Sequence, residues 1–195
     1  MSTSDEASYH HGDLKRALIA AALALLAREG KGALGLREVA RAVGVSPSAP
    51  YRHFKNREAL LAAVAREGFL QFDEALQQAA AGLPEAEHLN AMGRAYVRFA
   101  LDHPALFRLM FSPDVPFGAD QELRQAADAA FGSLALLAAK ADPEEPRIMA
   151  LAAWSLVHGL SHLLLDEQIR RRPGQSDEAL IAAVTGRLLA TLNRP

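Results

Sequence analysis

An all-helical fold is what this chain predicts, on three observations. Half of its 195 residues are hydrophobic, with alanine and leucine dominant and β-branched runs scarce, a bias toward strong helix formers. Apolar residues recur at intervals of three and four along most of the sequence. Proline and glycine then cut the periodic text into about nine helices. The length suffices for a real core, in one domain or two small ones.

The chain opens on a polar stretch, Met1 to Ser8, expected to be a flexible arm, followed by Tyr9, His10, His11 and Gly12. The paired histidines are not read as a metal site, because adjacent residues point different ways on a helix and no other ligand lies near. Asp13 to Arg28 is the first substantial helix, with Leu14, Leu18, Ala21, Ala22, Leu25 and Leu26 on one face and Glu29-Gly30 as its stop. Its Lys15 and Arg16 either reach phosphate or form a solvated face.

Leu36 to Val43 is a short amphipathic helix, with Val39, Ala40 and Val43 inward and Arg37, Glu38 and Arg41 outward. Gly44 ends it, since glycine takes the positive φ of a sharp turn, and Val45 plugs the inside of that turn. Ser46 and Pro47 then signal a new start, a capping hydroxyl and a proline at the first helical position. Two short helices about a glycine turn, the second from Pro47 to His53, make a helix-turn-helix.

The second helix carries small residues first, Ser48 and Ala49, and then Tyr51, Arg52 and His53. Small side chains let a backbone enter the major groove of DNA, and larger ones reach base edges or phosphates. Lys55 and Arg57 follow, and Asn56 is placed to cap a helix whose N-terminal amides would face the same phosphates.

The segment GVSPSAPYRHFKNREALL resembles the recognition segment of TetR-family transcriptional regulators, in which a Gly-Val-Ser turn precedes Tyr, a variable residue, His-Phe and a charged residue ahead of a long helix. One departure is Pro50, where the family commonly has leucine. Proline removes an amide and disfavours helical geometry at Ala49, so the first turn should tighten or start late.

The resemblance implies a three-helix DNA-binding domain over residues 1–55 and a helical regulatory and dimerisation domain over 56–195. Tyr51 and His53 should contact phosphate, with Lys55 and Arg57 adding charge. Ser46, Ser48, Ala49 and Arg52 are candidates for base edges, Pro47 starts the helix among them, and Arg37 could reach either. For Tyr51 a second reading stands, in which the ring packs in the core and only the hydroxyl meets DNA.

From Asn56 a helix runs through Leu60, Leu61, Val64 and Phe69 to about Ala81, before Gly82 and Pro84. In the family this helix links ligand pocket to DNA-reading head. Glu85 to Asp102 follows, then a break at His103-Pro104, a short helix from Ala105 to Phe111, a loop from Ser112 to Gly118 and a helix from Ala119 to Ala141. Asp142-Pro143 leads into a helix from about Glu144 to Arg172, and Ser176 to Leu192 is the last.

Trp154, His158 and Gly159 resemble a Trp-His-Gly signature of one class of TetR-family C-terminal domains. His158 and His162 stand four apart, with Asp166 a further four on. Three readings remain for the histidines: hydrogen-bonded core or interface groups, a ligand pocket, or a metal grip. Phe99, His103, Phe107, Met110, Phe131, Trp154 and His158 are the large or mixed-polarity residues expected near a cavity, or else plain core.

Leu156, Leu160, Leu163 and Leu164, with Leu180, Ala183, Val184, Leu188 and Leu189, give the last two helices more apolar surface than a lone helix needs. Family members resembling this one dimerise there as a four-helix bundle. Two recognition helices about 34 Å apart would then meet a near-palindromic operator. The function implied is a ligand-responsive repressor released by a small-molecule inducer, and the alternative is a ligand-independent activator or architectural DNA binder.

Residues 1–68 carry ten Lys and Arg against seven Asp and Glu, a net of +3, and the remainder eleven against sixteen, −5. A basic head on an acidic body suits double-stranded DNA as partner, though an imbalance this small also arises by chance. No cysteine is present, which removes disulfides, thiolate metal sites and cysteine nucleophiles and fits a reducing cytoplasm. The N-terminus lacks a signal-peptide core, and the longest apolar run, Ala17 to Ala27, is too short to span a bilayer. A soluble cytoplasmic protein without cofactor, metal or membrane partner is expected. The sequence offers no enzyme signature, whether nucleophile with base, phosphate loop or metal-ligand cluster.

Overall fold

The computed structural model describes residues 4–141, 144–170 and 172–192. Eight α-helices and two 3-10 turns make up the regular structure among the described residues: α1 (Ser4–Glu29), a 3-10 turn (Lys31–Ala33), α2 (Leu36–Val43), a second 3-10 turn (Ala49–Arg52), α3 (Arg57–Ala80), α4 (Glu85–Asp102), α5 (Pro104–Met110), α6 (Gln121–Ala141), α7 (Pro146–Leu165) and α8 (Asp177–Leu192). The side chains of His10, His11, Leu188 and Leu189 and the Asp142-Pro143 break lie outside the described residues.

Contacts divide the chain into two compact units, residues 1–68 with 105–124 and residues 69–104 with 125–195. The first therefore extends past the boundary at 55/56 read from the motif. Its core gathers Leu18 and Leu26 of α1, Leu34, Val39 of α2, Leu60 and Leu61 of α3, and Phe107 and Met110 of α5, all less than 2% exposed. At Gly68 helix α3 meets α5 so closely that an added Cβ would lie 2.8 Å from the Met110 Sδ and 2.9 Å from a Leu106 methyl.

In the second unit, α4 packs closely against α7 and α8. Thr185 Oγ1 donates to Asn90 Oδ1 at 2.9 Å, and an exposed ion pair joins Arg98 to Glu178. Phe72 is wholly buried among Tyr96 and Phe99, whose ring centroids lie 4.9 and 5.2 Å from its own, both edge-on.

Three helices differ from expectation. Helix α1 reaches back to Ser4, so residues 4–8 are helical rather than an arm; no proline interrupts them. Helix α7 stops at Leu165 rather than near Arg172, because Glu167 turns left-handed (φ 53°) and the Gln168 N–H donates to the Leu163 carbonyl. The segment from Pro47 to His53 is not an α-helix.

Helix α7 is also long and apolar enough to cross a membrane by length and composition. One face of α7 is core, with Met149, Ala153, Val157, Leu160 and Leu164 buried. The other exposes Ile148 (59%), Leu151 (44%) and Leu163 (43%).

Candidate nucleic-acid interface and apolar cavity

Gly44 takes φ 77° and ψ 27°, the left-handed geometry that suits glycine, and its N–H bonds back to α2 while the Val45 N–H donates to the Ala40 carbonyl at 3.0 Å. Beyond the turn, Ala49 N–H donates to Ser46 O, Tyr51 N–H to Ser48 O and His53 N–H to Pro50 O. These are i to i+3 bonds, so Pro50 has tightened the recognition segment into a 3-10 turn, as its missing amide predicts.

Tightening fixes which side chains share a face. With three residues per turn, Ser46, Ala49 and Arg52 fall in line, and Ser48 and Tyr51 form a second row. Ser46, Pro47, Ser48, Tyr51 and Arg52 are exposed and Ala49 half-exposed, while Pro50 is buried and anchors the turn. Tyr51 keeps 52% of its surface exposed, which disfavours the reading in which its ring is core. His53 is half-buried, its ring tilted against buried Phe54.

Lys55 and Arg37 are exposed, and so is Arg41 on the same helix as Arg37; the outward charge pattern of α2 already marked Arg41, though it was not named as a DNA contact. Asn56 caps α3 as expected, its Oδ1 accepting the Ala59 N–H at 3.0 Å. Arg57 is turned inward: its Nε donates to the Leu34 carbonyl at 2.8 Å and a terminal nitrogen to the Lys31 carbonyl at 3.0 Å. Beside it Lys31 pairs with Asp114, whose carboxyl Lys31 holds below the usual carboxylate range.

The second unit holds an apolar cavity of about 20 Å³ lined by Phe72, Leu76, Leu89, Met92, Gly93, Tyr96, Ala130, Phe131, Leu134, Ala153, Val157 and Thr185. Of the expected pocket residues, only Phe131 is on this wall. Trp154 shares with Phe131 a groove of about 250 Å³ between α6 and α7. His158 lies behind Tyr96, its Nδ1 2.8 Å from the Tyr96 hydroxyl, which accepts the Trp154 indole N–H at 3.2 Å.

Phe99 is buried, its ring edge-on to Phe72 and tilted against that of an exposed His103. Phe107 and Met110 belong to the core of the first unit. Burial, with His162 adjacent, pushes the His158 imidazole below its ordinary range, and burial raises the Tyr96 phenol. A neutral His158 can accept from Tyr96 or donate to it according to its tautomer. No group of three or more potential metal-binding His, Cys, Asp or Glu side chains occurs among the described residues.

A helix, a left-handed glycine turn and a second turn presenting serine, arginine and tyrosine to solvent define a helix-turn-helix, the reading head of a class of DNA-binding proteins. The chain belongs to the TetR family of bacterial transcriptional regulators. Residues 18–64 match the family described as bacterial regulatory proteins, tetR family, and residues 89–187 match the tetracyclin repressor-like C-terminal domain.

The chain is 29% identical over 149 residues to an uncharacterised helix-turn-helix type transcriptional regulator of Mycobacterium tuberculosis, covering 76% of this chain and 73% of that one. A solved protein of unknown function from Rhodococcus sp. RHA1 is 32% identical, with TM-score 0.80 over 95% of this chain and 98% of the other. A TetR family transcription regulator from Marinobacter aquaeolei VT8, at 19% identity and TM-score 0.67 over 93% and 97% of the two chains, shares the fold.

Proposed function

We propose that this TetR-family regulator is a cytoplasmic repressor that binds a near-palindromic operator as a homodimer and lets it go when a small molecule occupies the second unit. The observation that carries the DNA reading is the exposed turn from Ser46 to Arg52, held by buried Pro50 and backed by Phe54. Ser46, Ala49 and Arg52 are the base-edge row, with Ser48 beside them. Tyr51, His53 and Lys55 take phosphate, Arg37 either, and the Trp-His-Gly class of C-terminal domain remains part of this reading.

Arg57 is better understood as a clamp on the carbonyls of residues 31 and 34 than as a phosphate ligand. Arg57→Met is therefore expected to lower stability by about 1–2 kcal/mol, mainly through the part-buried Leu34 carbonyl it leaves without its guanidinium partner, with the salt dependence of DNA binding unaltered. Lys55→Ala should weaken all DNA and flatten that dependence by about one unit. Thermal melts and affinities measured across a salt series separate the two.

The free apolar face of α7 supports a second copy as partner. Leu160 and Leu164 are buried within their own unit, so Ile148, Leu151 and Leu163 carry the pairing. An inducer acts only by its differential affinity for the dimer geometry that misplaces the heads.

A second reading, ligand-independent DNA binding, is favoured by the size of the cavity: about 20 Å³ is near the space of one water. Footprinting decides. A repressor protects a palindrome overlapping a promoter and loses it on adding extracts of the producing cell's small molecules, and Arg52→Ala should relax discrimination by about 1–3 kcal/mol at one base pair per half-site. Protection of random and selected DNA alike would defeat the sequence-specific reading.

A further inference from the structure

We propose that the apolar cavity and a broad cleft beside it are two ends of one channel, closed at their junction by Met92, and that its occupant is an elongated, uncharged, largely apolar small molecule. This rests on the ligand-responsive reading above and adds to it the way in and the chemistry admitted.

The cleft, open to solvent, spans about 640 Å³ between the end of α3, the start of α4 and the second half of α6, space enough for a small molecule at its mouth. Met92 lines both spaces and is 4% exposed. An unbranched thioether with three rotatable bonds can change rotamer without moving a helix, so one side chain separates a large open volume from a small, partly enclosed one.

Helix α6 can also give way. Leu136 is 62% exposed, Leu134 and Leu137 are half-exposed, and the groove of about 250 Å³ lies on its α7 side. Empty volume thus flanks this half of α6 on both sides, whereas α4 is packed closely on α7 and α8. At the mouth, Lys140 of α6 pairs with Glu85 of α4. Both side chains are more than half exposed, and ion pairs in water contribute little, so this strap opens readily.

Charge decides the occupant. The cavity wall carries no Asp, Glu, Lys or Arg, and the two that line the cleft, Glu85 and Lys140, pair with each other, while His88 hydrogen-bonds the Leu83 carbonyl. An ion drawn inward would lose its water and meet no counter-charge. An apolar chain or ring system would lose nothing comparable.

The test titrates the full chain with N-phenyl-1-naphthylamine, an uncharged fluorophore bright only in apolar surroundings, with operator affinity measured on the same sample. Saturable brightening is expected, with dodecan-1-ol displacing the probe at least about tenfold better than dodecanoate or dodecyltrimethylammonium, as an uncharged site requires. Met92→Trp, which fills the junction, should weaken the probe about tenfold or more, and Met92→Ile, stiffer at nearly equal volume, should slow its association several-fold; melting curves certify that each variant is folded. Lys140→Gln should speed association.

Equal probe binding in wild type and a folded Met92→Trp variant would overturn the channel, as would no saturable binding at all. Preference for either charged amphiphile would overturn the ligand class. If the probe binds through the Met92 junction yet operator affinity never changes, the channel stands and the ligand-responsive reading falls.

Discussion

Replacing Ile148 with aspartate and Leu151 with glutamate is expected to turn the protein into a monomer and to reduce affinity for a full palindromic operator about 100-fold to 10,000-fold, the advantage that two linked heads have over one. Both residues lie one turn apart on the outer face of α7, 59% and 44% exposed, in a helix apolar enough to pass for a membrane span. The buried side of α7 is already occupied within the unit. New carboxylates on the outer face would lose their water on pairing and face their own symmetry copies. Light scattering reads the mass, and anisotropy on full and half operators reads affinity. Half-site affinity should stay level, and a variant that remains dimeric would show that the pairing lies elsewhere.

Phe72→Ala is expected to cost about 3–5 kcal/mol. The ring is fully buried, edge-on to Tyr96 and Phe99, and forms part of the cavity wall. Its loss therefore enlarges an existing void, and neighbours that already leave space unfilled have little reason to collapse into it. Denaturant melts give the loss directly. An apolar probe in excess should restore part of it, since a ligand bound only to the folded state stabilises by mass action. A loss under about 1 kcal/mol would mean that the site relaxes freely.

What could be read in the sequence was local. Gly44, Ser46-Pro47 and Asn56 act within four residues of themselves through backbone torsion and capping, so the helix-turn-helix was legible, and so was the distortion by Pro50. The inward hydrogen bonds of Arg57 were not legible, because its partners lie 23 and 26 residues away; an arginine after a recognition segment reads the same whether it faces phosphate or carbonyl. Phe107 and Met110 illustrate a second limit. Periodicity says that a side chain is buried, but not in which unit, and Gly68, which Met110 packs against, lies on a helix remote in sequence.

Nothing in the sequence marks Met92 or Tyr96 as the wall of a cavity, because the cavity beside them depends on where α6 and α7 sit. The overlong reading of α7 has the same origin. No glycine or proline stands between Asp166 and Arg172, and the helix ends through Glu167, a residue with no intrinsic preference for a left-handed turn.

Buried Pro50 has one more implication. A ring-locked torsion inside the reading turn leaves the free protein little slack to freeze when it lands on DNA. Landing should then be quick on any stretch of genome, with good and poor targets told apart by how long the protein stays.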